Sequence, residues 1–262
     1  MTMNTQSPVF DAHCHVGRWL VPDFAGRATD LLDSMTALAS AGVLEALVMT
    51  TDARDNEGLL AAVRSWRGPV SLYFAAWVDP EDPDASLFLE RNKDDIAAIK
   101  VHPSFARRPI TDPAFGPCLE YAEANHLPVI VHCGRWREVA GFELAVRAAV
   151  SHPGCPFILS HMGGDSPSLV KEAVAAVREL PNVYLGTESI REYWVIAEAI
   201  DALGPGRLVF GSDFNLNHPA TFLATIRAIG LDRASEALIL GDNARRLFRN
   251  RRPPSEAVVD VR

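Results

Sequence analysis

Short apolar runs rich in β-branched residues recur along the chain, and most of them end in a polar residue followed by a turn former. Runs of this kind are typical of strands in a parallel sheet whose two faces are covered by helices. We expect eight such strands, at residues 9–15, 44–51, 70–78, 96–102, 128–132, 157–161, 183–188 and 207–213. Helical patterns follow them, at residues 29–42, 56–66, 84–92, 113–125, 138–150, 166–180, 192–203 and 219–229, and a last helix is expected at 243–248.

This alternation predicts the fold class. Eight strand and helix pairs in 262 residues fit one α/β domain, a (β/α)8 TIM barrel, whose typical length is about 250 residues. A GxGxxG turn does not follow the first strand, which counts against a dinucleotide-binding sheet. We therefore expect a single barrel over residues 9–250, with a flexible N-terminus at 1–8 and a C-terminal tail at 251–262.

Composition and charge narrow the class of protein. The chain is 48% hydrophobic with a net charge of −8, and this charge counts against nucleic-acid binding, which usually shows as a basic face. The apolar stretches are shorter than a membrane span of about 20 residues, and residues 1–8 do not resemble a leader. We expect a cytoplasmic protein with a small-molecule substrate and no nucleic-acid or membrane partner; a homo-oligomer is left open.

The first strand carries two histidines one residue apart, in the sequence Asp11-Ala12-His13-Cys14-His15. Side chains on a strand alternate between its faces, so both imidazoles are expected on one face, together with Val9 and Asp11. The intervening Cys14 should then face the helices. The four cysteines have no CxxC spacing and are expected as buried thiols.

Further polar side chains end the later strands. They are Lys100 and His102 on the fourth, His132 on the fifth, His161 on the sixth, Glu188 on the seventh and Asp213 on the eighth. The carboxyl ends of barrel strands surround one active site, so these groups should converge there. Imidazoles and a carboxylate suit zinc, manganese or iron, whereas magnesium and calcium prefer more oxygen ligands. The pattern predicts a metal site built from His13, His15, His132 and Asp213.

The whole arrangement resembles the amidohydrolase superfamily: HxH on strand one, Lys on strand four, His on strands five and six, and Asp on strand eight. Four sequence segments are similar to the branch called amidohydrolase family 2: residues 99–103, 161–164, 211–213 and 241–248. The likeness extends from Phe10 to Phe248. The resemblance implies a metal-dependent barrel enzyme. One divalent ion, most simply zinc, would be held by His13, His15, His132 and Asp213. A two-metal site, with a carboxylated Lys100 as bridge and His161 as a further ligand, is the alternative.

The resemblance also implies a chemistry. We expect a hydrolase that cleaves an amide, ester or lactone-like bond through a metal-activated water. Asp213 would transfer the proton, and His161 would stabilise the developing oxyanion. The alternative is a non-oxidative decarboxylase, since the family contains both, and a non-catalytic metal-binding barrel is a third interpretation.

Substrate contacts are predicted from residues around the barrel mouth. Arg18 and Arg135 follow metal-site strands and would bind an anionic, planar substrate, because guanidinium binds carboxylates and stacks on flat groups. Lys100 and His102 are expected to face the same space. Glu188 departs from the family branch, where a small hydroxyl residue is commoner, so we expect either a substrate-binding group or a solvated loop residue there.

Overall fold

The computed structural model describes residues 8–24, 26–134 and 136–248. The predictions for residues 1–7, for Arg135 and for the tail at 251–262 therefore lie outside the described residues. A nine-stranded sheet has the order β2-β1-β3-β4-β5-β6-β7-β8-β9. The strands are β1 (Val9–Arg18), β2 (Ala28–Thr29), β3 (Val43–Thr50), β4 (Ser71–Val78), β5 (Ile96–Val101), β6 (Val129–Val131), β7 (Phe157–Leu159), β8 (Val183–Gly186) and β9 (Leu208–Val209).

The eight strands β1 and β3–β9 pair in parallel and close on themselves. Closure comes from backbone hydrogen bonds between β1 and the chain just after β9. The amide of Ala12 donates to the carbonyl of Phe210 at 2.9 Å, and the amide of Asp213 donates to the carbonyl of His13 at 2.9 Å. The predicted single-domain (β/α)8 barrel is confirmed.

Helices follow the strands much as predicted. They are α1 (Leu31–Ser40), α2 (Asn56–Ser65), α3 (Ala85–Arg91), α4 (Pro103–Ala106), α5 (Gly116–Ala124), α6 (Arg137–Ala140), α7 (Phe142–Ser151), α8 (Pro167–Val177), α9 (Tyr193–Leu203), α10 (Pro219–Arg227), α11 (Arg233–Ala237) and α12 (Asn243–Phe248). Asp30 begins α1 as an N-cap, its carboxylate accepting from the amide of Asp33 at 2.8 Å. Within the described ranges, no helix is long and apolar enough to cross a membrane.

The core has two layers. A large cluster lies between the barrel and its helices, and it contains Cys14 and Cys133. All four cysteines are free and buried, as predicted. A smaller cluster fills the lower end of the barrel, where the strands begin. There the ring of Phe10 lies 5.1 Å from that of Tyr73 and 5.6 Å from that of Phe248. Because apolar side chains fill that end, the polar groups of the lumen are confined to the other one.

The alternation expected along the first strand is wrong in its lower half. The pairing of β1 with β3 shifts register between Asp11 and Cys14, which marks a β-bulge. An extra residue in one strand reverses which side chains face inward. Below the bulge Phe10 and Ala12 therefore belong to the inner cluster, whereas Val9 belongs to the outer one.

The segment at 16–28, between the predicted first strand and first helix, forms part of a hairpin. Strand β1 continues to Arg18 and pairs antiparallel with β2, with Gly17 opposite Thr29. This hairpin extends beyond the barrel on the side where the ligand candidates lie. It brings Trp19 over the mouth, where the indole nitrogen donates to the side chain of Asn215 at 2.7 Å.

Candidate metal centre

His13 and His15 lie above the bulge and point into the mouth of the barrel, each only 3% exposed. Their Nε2 atoms are 3.2 Å apart. Two imidazole nitrogens that bind one tetrahedral ion at about 2.0–2.1 Å are roughly 3.3 Å from each other. The spacing of the two nitrogens therefore fits a shared ion.

Asp213 brings a carboxylate to the same point. Its Oδ1 lies 3.8 Å from Nε2 of His13 and 3.7 Å from Nε2 of His15, and the three ligand atoms all lie within 4.8 Å of one another. Its Oδ2 accepts hydrogen bonds from the hydroxyl of Ser189 at 3.0 Å and from the side-chain amide of Asn217 at 3.3 Å. These two donors fix the carboxylate so that Oδ1 faces the imidazoles.

The orientation of both imidazoles follows from what accepts at their other nitrogen. Nδ1 of His15 lies 2.7 Å from the carbonyl oxygen of Thr50, and Nδ1 of His13 lies 2.9 Å from Oε1 of Glu188. A carbonyl and a carboxylate only accept, so both Nδ1 atoms carry the proton. Both Nε2 atoms then present a lone pair, which is the state a metal requires.

Lys100 completes this group of side chains. It is 1% exposed, and its Nζ lies 3.2 Å from Nε2 of His13. Burial lowers the pKa of Lys100 to about 8, although the carboxylates of Glu188 and Asp213 favour its charged form. The ammonium therefore lies on the side of His13 on which an ion would bind, where it can donate a hydrogen bond to a substrate.

The structure places His132 and His161 beside the three ligand atoms. Nε2 of His161 lies 3.2 Å from Nδ1 of His132, and the rings of His13 and His161 have centroids 6.2 Å apart. The ring of His132 also stacks on His102 at 3.7 Å and 12°. His132 is thus adjacent to the cluster but is not one of its three atoms, and its role as a ligand stays a prediction.

Charge in the site favours a cation. Burial lowers the pKa of His15, His102 and His132 well below the usual value, so these imidazoles are neutral at neutral pH. Burial alone would raise the pKa of Glu188, but its electrostatic interaction and hydrogen bond with His13 outweigh burial and lower that pKa to about 2. Two carboxylates, those of Glu188 and Asp213, therefore face a single ammonium, and the donor set fits a divalent ion.

The predicted substrate-binding residues lie in different places. Arg18 is exposed on the hairpin, and Lys100 is inside the mouth. His102 follows β5 and is stacked between Trp77, at 5.3 Å and 6°, and His132. Glu188 is buried behind His13, so the alternative of a solvated loop residue is wrong.

Several residues of the site were not anticipated from the sequence. Ser189 and Asn217 hold Asp213, and they lie in loops without any periodic pattern that could have indicated them. Trp77 lies near the end of the third predicted strand and His102 at the end of the fourth. Because these strands are neighbours, their contact could have been predicted from strand order. The rings of Trp19 and Phe105 complete an aromatic wall around His15 and His102.

The sequence profile of the family described as amidohydrolase matches residues 10–249. No curated protein matches the chain by sequence.

Solved structures show the same fold at low identity. A 5-carboxyvanillate decarboxylase from Sphingomonas paucimobilis superposes with a TM-score of 0.73 at 17% identity, covering 92% of this chain and 98% of its own. A putative 2-pyrone-4,6-dicarboxylic acid hydrolase from Pseudomonas putida gives 0.73 at 19%, covering 92% and 97%. An amidohydrolase from Burkholderia multivorans with bound zinc gives 0.75 at 16%, covering 93% and 99%.

The family profile spans nearly the whole barrel, from the strand that carries the HxH pair to the last helix. The resemblance noted from the sequence is thereby confirmed. This chain belongs to the amidohydrolase family.

Proposed function

We propose that this enzyme is a metal-dependent hydrolase acting on an amide, ester or lactone-like bond of a small, anionic substrate. One observation carries the proposal: the Nε2 atoms of His13 and His15 are 3.2 Å apart, with Oδ1 of Asp213 at 3.7–3.8 Å from both. A divalent ion bound there supplies Lewis acidity that activates water and polarises a carbonyl. Zinc is the metal we propose, because the donors are nitrogen and oxygen and a family member binds zinc in a similar barrel.

The residues of the chain divide the remaining tasks. The carboxylate of Asp213 takes the proton of the attacking water and passes it to the leaving nitrogen or oxygen. The ammonium of Lys100 stabilises negative charge that develops on the substrate oxygen. His161 donates to the same oxygen when its Nε2 is protonated; in its neutral form that atom accepts from His132 instead.

Non-oxidative decarboxylation is the second candidate. It is supported by the ammonium of Lys100 next to the stacked rings of Trp77 and His102, a combination that suits an aromatic carboxylate. A structural neighbour is a decarboxylase of such a compound. In this reaction Asp213 or His161 would protonate the carbon that loses carbon dioxide.

Product analysis distinguishes the two reactions. Zinc-loaded enzyme is offered lactones, esters, amides and aromatic carboxylates in water enriched in oxygen-18. Hydrolysis places the label in the product acid, whereas decarboxylation releases carbon dioxide and leaves the product unlabelled. We expect label incorporation, lost after chelation; release of carbon dioxide alone would replace the hydrolase by the lyase.

Four free, buried thiols suit the cytoplasm, where we expect the enzyme to act.

A further inference from the structure

We infer that Glu188 is the positioning residue of the metal centre: it fixes His13 through its carboxylate and His161 through its backbone, and so sets which nitrogens face the ion. This inference rests on the proposed function, since it presupposes an ion at His13. It differs from the substrate contact expected for Glu188 from the sequence.

The contacts of the Glu188 side chain support its role in fixing His13. Oε1 lies 2.9 Å from Nδ1 of His13 and accepts the backbone amide of His161 at 3.2 Å. The residue is 1% exposed. A buried carboxylate that accepts the Nδ1 proton holds the ring in one orientation and makes Nε2 a better donor to a metal. No substrate atom is needed for this role, because the carboxylate lies on the side of His13 away from Nε2.

The backbone of Glu188 supports its role in fixing His161. Its carbonyl oxygen lies 3.2 Å from Nδ1 of His161, so that nitrogen carries the proton. Nε2 of a neutral His161 must then accept, and its neighbour at 3.2 Å is Nδ1 of His132. His132 therefore has its proton on Nδ1 and a lone pair on Nε2. One residue thus determines the tautomers of three histidines, and each of them has its proton on Nδ1.

The variant Glu188→Gln tests the role of the carboxylate, because the amide has nearly the same shape but no charge. Zinc affinity is measured by competition with a chromophoric chelator, and the visible spectrum of the cobalt-substituted protein reports ligand geometry. We expect Glu188→Gln to weaken zinc binding about 10–100-fold and to change the cobalt spectrum. Glu192→Gln, four residues along at an exposed position, is the matched control and should match the wild type.

The outcomes separate the inference from the proposed function. A wild type that binds no zinc overturns the proposed function itself. A wild type that binds zinc, with Glu188→Gln binding equally well and giving the same spectrum, overturns only the role of Glu188.

A measurement on the wild type keeps the inference testable if Glu188→Gln does not fold. In metal-free protein labelled with nitrogen-15 at histidine, long-range proton–nitrogen spectra show which ring nitrogen carries the proton. We expect His13 and His161 to be protonated at Nδ1, with assignments taken from His13→Gln and His161→Gln. A proton on Nε2 of His13 would contradict the inference.

Discussion

Asp11 and Ser212 are joined across the seam where the barrel closes: Oδ1 of Asp11 accepts the backbone amide of Ser212 at 2.9 Å. The same oxygen accepts the amide of His13 at 3.1 Å. One carboxyl oxygen thus ties the first strand, just below its histidine pair, to the segment that supplies Asp213.

Replacing Asp11 should therefore destabilise the fold as well as the site. Asp11→Ala leaves two buried amides without an acceptor, each at a cost of roughly 1–3 kcal/mol, so we expect the free energy of unfolding to fall by about 2–6 kcal/mol. Asp11→Asn keeps an accepting oxygen, and burial already raises the pKa of Asp11 to about 7, so this variant should lose less. Denaturant unfolding in the presence of a chelator measures both. Equal losses for the two variants would contradict the role of the oxygen.

Zinc should stabilise the folded chain. An ion that binds only the native state adds about 2.7 kcal/mol at a free concentration of 100 times Kd. For a chain of this size, that corresponds to a rise in Tm of roughly 5–10 °C. Thermal unfolding with and without zinc measures the shift. Asp213→Asn removes one of the three clustered ligand groups, so its shift should be much smaller; an undiminished shift would place the ion elsewhere.

Cys14 lies between the two histidines in sequence but faces the helices. Cys14→Ala removes a buried sulfur from the outer core, and we expect a loss of about 1 kcal/mol in the free energy of unfolding. The zinc content should stay at the wild-type value. Cys133→Ala, just after His132 and in the same core layer, is the comparison. Loss of zinc from Cys14→Ala alone would assign the thiol to the metal site.

The hydrogen bond between Glu123 and His152 should make the stability of the fold depend on pH. His152 donates from Nδ1 to Glu123 at 2.9 Å, and this hydrogen bond, followed by that from the amide of Gly154, lowers the pKa of Glu123 below its ordinary value of 4.5. A depressed folded-state pKa stabilises the protein above pH 4.5, and this contribution is lost as the pH falls through the folded value. The difference in Tm between the wild type and Glu123→Gln should thus be present near pH 6 and shrink toward pH 3. A difference independent of pH would exclude the linkage.

The apolar runs predicted the barrel because its strands are buried on both faces, and the strand ends indicated where polar groups gather. The predicted inward direction of Lys100 on β5 agrees with the structure, where its Nζ lies 3.2 Å from Nε2 of His13. Alternation on β1 failed below His13, because a bulge depends on pairing with β3 and leaves no mark on the hydrophobic pattern.

The alternation of side chains along strands could not predict the finer arrangement of the site. His161 and Asp213 lie just past their strands at φ values of 55° and 59°, so their directions are set by turns and not by a pleat. The attachment of Glu188 to His13 depends on the distance between two strands that are far apart in the chain. Such relationships become visible only after the barrel has closed.

His13 and Asp213 stand about 200 positions apart in the chain and meet at the closing seam. An ion that binds both therefore acts as a cross-link over nearly the entire polypeptide, comparable in reach to a disulfide that closes a very long loop. In the unfolded chain these ligands are dispersed, so tight binding requires that the first and last strands have already met. Metal uptake would thus report completion of the barrel, and the loaded enzyme would resist opening at the one seam where its two ends could part.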